Sequence, residues 1–128
     1  MTKRPWPLTV LMLLLIGWEP ATFALYAAGA VERVMDRGAL SVAVLLARVV
    51  VTAIGVAAGL SIYNDRPWAL AFARLAVVLS AGATMLAALT RALPNNAPPG
   101  LYGPVVAIQL AVDAGWVIYL TWAMRKGP

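Results

Sequence analysis

The stretch LSVAVLLARVVVTAIGVAAGLSI, Leu40 to Ile62, decides the fold: it carries one charged side chain, Arg48, and no proline. A helix on the surface of a soluble protein shows a polar face, whereas this one is apolar all round. Its length matches the ~20 residues that cross ~30 Å of hydrocarbon at about 1.5 Å per residue. It therefore reads as a transmembrane helix.

Outward from it lie three more such stretches, Pro7 to Ala30, Trp68 to Ala92 and Pro104 to Met124. In lipid every backbone polar group must be bonded within its own segment, which selects helices for spans of this kind. The predicted fold is an all-α membrane protein, four transmembrane helices in an up-down bundle, with helices over about 7–30, 40–62, 68–92 and 104–124. The longest polar interruption, Pro94 to Gly103, is too short for a second domain, so residues 1–128 form one transmembrane domain.

Composition agrees. The chain is 62% hydrophobic and 12% charged, with a mean hydropathy of +0.84. Soluble domains run at roughly 45–50% apolar and about 25% charged. Cys and His are absent, which removes disulfides, thiolate nucleophiles, imidazole bases and the usual zinc or haem ligands. No cofactor, metal site or enzymatic reaction is expected. The net charge of +5 is scattered over loops and spans without a basic stripe, so the bilayer and not nucleic acid is the expected partner.

The separators carry turn chemistry. Glu32 to Arg37 is predicted as a helical extension stopped by Gly38. Asn64 or Asp65 is placed to cap the third helix, with Pro67 in its first turn. Pro94 to Gly100 is a helix-breaking loop. Lys3 and Arg4 before Leu8 to Gly17, with Ala28-Gly29-Ala30 beyond, follow the order of a signal peptide. Glu19 and Pro20 interrupt that order, and the segment is read as a retained span.

Basic residues in short loops set orientation. Lys3, Arg4, Arg66, Arg125 and Lys126 fall on one side, against Arg33, Arg37 and Arg91 on the other. Trp6, Tyr63, Trp68, Tyr119 and Trp122 gather on the first side, where amphipathic rings favour an interface. The expectation is a multi-pass protein with both termini cytoplasmic. Eight Arg beside two Lys, with abundant Ala, place it in a bacterial inner membrane.

The residues with chemistry are Glu19, Arg48, Arg74 and Asp113, one in each span. A charge at the centre of a lone helix costs about 3 kcal/mol on insertion scales, so these side chains are expected to turn inward and pair. Counted along the helices, Glu19 and Arg48 reach the same depth and can meet, and Arg74 can approach Asp113 by extending its long side chain. Gly55 and Gly59 make a G-x-x-x-G pattern for close helix packing. Pro20, next to Glu19, is a predicted kink that frees a carbonyl one turn away.

Two roles fit these features. The first is a non-enzymatic accessory or structural subunit that packs with itself or with a larger membrane protein. The second is a minimal oligomeric transporter or channel, coupled to protons or cations through Glu19.

Overall fold

A computed structural model describes residues 4–91 and 100–126. It contains four helices, each long and apolar enough to span a membrane: α1 (Trp6–Arg37), α2 (Ala39–Tyr63), α3 (Ala69–Thr90) and α4 (Tyr102–Lys126). The chain is thus a small polytopic membrane protein built as an all-α four-helix bundle.

The turns show how the sequence sets these boundaries. Helix α1 runs on through Arg37 and stops at Gly38, whose φ of 106° suits a residue without a Cβ. At the next turn the structure departs from the expected cap. Trp68 occupies the N-cap position of α3 with no side-chain bond, and Pro67 lies before the helix. Asp65 instead takes a left-handed conformation, φ 53°, while the Arg66 N–H closes the turn onto the Ser61 carbonyl. Arg4 serves the end of α2 instead, donating through Nη2 to the Ile62 and Tyr63 carbonyls and to Asp65 Oδ1. The third connection lies outside the described residues except at its end, where Gly100 has φ 83°.

The helices pack in chain order, α1 on α2, α2 on α3 and α3 on α4. No Cα of α1 comes within 8 Å of one in α4. Helices α2 and α3 therefore form the back of the bundle, and α1 and α4 stand as flanks that do not close at backbone level.

Packing is unequal along the bundle axis. One end gathers the start of α1, the end of α2, the start of α3 and the end of α4. There Leu11, Leu15, Ile62, Ala73, Val77 and Leu120 belong to one buried cluster. Ala69, Ala73 and Ala76 supply the smooth surface that lets α3 approach its neighbours. Toward the other end α1 and α2 stay packed, with Ala30, Val34, Ser41 and Val44 buried. Helix α4 does not follow them: its one buried residue is Leu120, near the closed end. Trp6, Tyr63, Trp68 and Trp122 are exposed around that same end, as an interfacial belt requires.

The G-x-x-x-G face lies inside the bundle. A Cβ built on Gly59 would stand 2.6 Å from Ile16 Cγ1 and 3.2 Å from Leu15 Cβ, and one on Gly55 would stand 3.5 Å from Leu15 Cδ2. These glycines let α1 lie close against α2 next to the segment that carries Glu19.

Candidate functional site

Glu19 sits at a break in regular helix. Residues Leu14–Trp18 form a π-turn, and the Glu19 N–H closes it by donating to the Leu14 carbonyl. Proline physics accounts for its place. The Pro20 ring clashes with the carbonyl four residues back and brings no N–H, so a one-residue register shift just before it relieves the conflict. Thr22 Oγ1 donates to the Trp18 carbonyl at 2.8 Å and to the Glu19 carbonyl at 3.2 Å. Side-chain bonding thus serves backbone acceptors around the irregular turn.

Arg48 projects from α2 into the space between α1 and α3. Its Nη2 donates to Glu19 Oε2 at 3.4 Å, joining the two spans as their depths predict. Its Nη1 faces the Ser80 carbonyl at 3.4 Å and the hydroxyls of Ser80 and Thr84 at 3.5 Å. One guanidinium therefore links three helices.

Asp113 does not pair with Arg74. Arg74 Nη1 donates to Thr121 Oγ1 at 3.3 Å, near the closed end of the bundle. Thr121 lies eight residues beyond Asp113, about 12 Å along α4, so the arginine that bonds it cannot also serve the carboxylate. Asp113 lines instead the same cavity as Glu19 and Arg48. Its Oδ2 is buried and accepts no hydrogen bond from the described residues.

Glu19, Arg48 and Asp113 border one cavity of about 520 Å³, open between α1 and α4 and backed by α2 and α3. Its mouth is marked by Trp18, Val105 and Val112, which line it and remain largely exposed. From α1 it also takes Thr22, Phe23 and Tyr26, and from α4 Tyr102, Val106 and Gln109. The buried cluster at the opposite end contributes no residue to the lining. The space is a cleft between α1 and α4 that runs from the ionisable groups toward the α1–α2 turn, with the buried cluster packed beyond them at the opposite end.

Sequence periodicity places Glu19, Thr22 and Tyr26 on one stripe and Gln109 with Asp113 on another, and the cavity brings those stripes face to face. Thr84 and Tyr102 escaped the sequence reading. Their signal was present, since Tyr102, Val106, Gln109 and Asp113 recur at helical spacing, and Thr84 is one turn from Ser80. The π-turn had no signal beyond Pro20. Among the described residues no three His, Cys, Asp or Glu side chains converge as a metal site requires.

No family model matches this chain, and neither does any curated protein or solved structure.

Proposed function

We propose that the protein is a minimal proton- or cation-coupled membrane transporter, working at the cavity that holds Glu19, Arg48 and Asp113. The observation that carries this reading is the cavity itself: it runs from ionisable groups in mid-span toward the α1–α2 turn, while packed apolar side chains occupy the opposite end of the bundle. A carrier needs a site reachable from one side at a time, set where irregular helix leaves polar backbone near a charge. The titratable groups facing the cavity are Glu19 and Asp113, with Tyr26 and Tyr102 nearer the α1–α2 turn.

In proteoliposomes with an imposed pH gradient and a trapped pH dye, the wild type is expected to exchange protons against sodium, potassium or small amines. Glu19→Gln is expected to abolish the exchange while inserting normally. Equal flux from both proteins would refute the role of Glu19.

The accessory reading keeps one specific support. Gly103, Ala107, Ala111 and Gly115 form an exposed small-residue stripe on α4, with nothing within 4 Å of a Cβ at either glycine. Such a stripe suits close packing against another membrane helix. Absence of flux from wild type and variant alike would move the role to that face.

A further inference from the structure

Glu19 and Asp113 border the same cavity in different electrostatic company. The Glu19 carboxylate shares a salt bridge with Arg48, whose other donors are turned toward Ser80 and Thr84 on α3. Asp113 stands on α4, with one carboxylate oxygen buried and unpartnered among the described residues. With both acids ionised, the wall carries two negative charges and one positive, and the surplus belongs to Asp113. A surplus charge in a low-dielectric site is relieved by a proton or by a counter-charge.

The form of the cavity narrows what that counter-charge is. A dehydrated calcium-type ion takes six or more oxygen ligands, and among the described residues no third acidic group joins the two. The volume, about 520 Å³, falls in the roughly 300–1,000 Å³ range of pockets that hold small organic molecules. Trp18, Phe23, Tyr26 and Tyr102 bring aromatic rings to a largely apolar wall, and such ring faces attract cations.

We infer that the cavity binds a small organic monocation, with its charge against Asp113 and its apolar body against the aromatic wall between α1 and α4. The Glu19 and Arg48 pair is internally neutral and positions the wall without meeting the ligand's charge. This inference rests on the transport reading for its purpose but not for its measurement.

The purified full chain in neutral detergent is titrated by calorimetry with benzyltrimethylammonium and, separately, with neopentylbenzene, its uncharged carbon isostere, each corrected for empty micelles. The ammonium is expected to bind saturably and about tenfold or more tighter than the hydrocarbon. Asp113→Asn is expected to weaken ammonium binding by about tenfold or more, as removal of the only surplus charge implies. Glu32→Gln removes an exposed acid outside the cavity and is expected to bind within about threefold of wild type.

Equal affinity for the two probes, or no saturable ammonium binding, overturns the inference on wild-type protein alone, so a poorly folding variant cannot shelter it. Undiminished binding by Asp113→Asn overturns it as well. Ammonium binding without any flux in proteoliposomes would refute transport and leave this site standing. Flux that depends on Glu19, without ammonium binding, would do the reverse.

Discussion

Substituting Ala at Gly59 and at Gly55 is the same chemical change, one helical turn apart, yet the structure assigns the two opposite signs. In both places a methyl group replaces a hydrogen in a helix interior, which by itself favours the helix by roughly 0.5–1 kcal/mol. At Gly55 the new carbon meets Leu15 Cδ2 at 3.5 Å, an ordinary contact with the mobile end of a side chain, so the gain survives. At Gly59 it meets Ile16 Cγ1 at 2.6 Å and Leu15 Cβ at 3.2 Å, and neither atom is the free end of a flexible chain. Relief requires α1 to move at its π-turn. Forcing a methyl into a packed interface costs about 1–3 kcal/mol, so Gly59→Ala is expected to fall below Gly55→Ala by roughly that amount. Reversible unfolding in mixed anionic and neutral micelles, followed by tryptophan fluorescence, measures the difference. Adding Ile16→Ala removes the nearest obstructing carbons and is expected to recover part of the Gly59→Ala loss beyond additivity. If Gly59→Ala proves as stable as Gly55→Ala, the close approach of α1 to α2 is wrong, and with it the placement of Glu19 beside Arg48.

Two further outcomes follow from the same geometry. In a double-mutant cycle of Glu19→Gln and Arg48→Gln, the structure expects a coupling of about 1 kcal/mol or more in the same unfolding assay, because each single change strands its partner in a mostly apolar site; additive losses would count against the pair. The chain has no native Cys, so single thiols report access directly. Val106→Cys and Ala83→Cys in the cavity wall are expected to react with a membrane-impermeant maleimide added on the side of the α1–α2 turn. Ala73→Cys and Val77→Cys in the buried cluster are expected to resist it. Equal labelling of all four would remove the plugged end.

Much of the site was legible because depth and helical phase are both properties of the one-dimensional chain. Glu19 and Arg48 lie at matching heights on consecutive antiparallel helices, and counting residues was enough to pair them. The same counting suggested Arg74 for Asp113, and there it failed. A long arginine side chain reaches over several ångströms, so height alone left several partners open, and Thr121 took the bond. The expected cap at Asn64 or Asp65 failed for a related reason. Local capping preference competes with other bonds: Asp65 takes a left-handed turn, and its carboxylate pairs with Arg4, distant in sequence.

The amino-acid sequence by itself determined that this chain crosses a bilayer, with four helices and ionisable groups in each, because apolar length and the need to bond every backbone polar group within a segment are local requirements. Tertiary structure alone decided that α1 and α4 remain apart while the opposite end closes. That choice depends on which small and large side chains meet across helices. Gly59 under Ile16 draws α1 onto α2, and Leu120 anchors α4 at one end only. From those contacts, and from nothing in any single span, comes a cavity in which Asp113 faces Glu19 and Arg48.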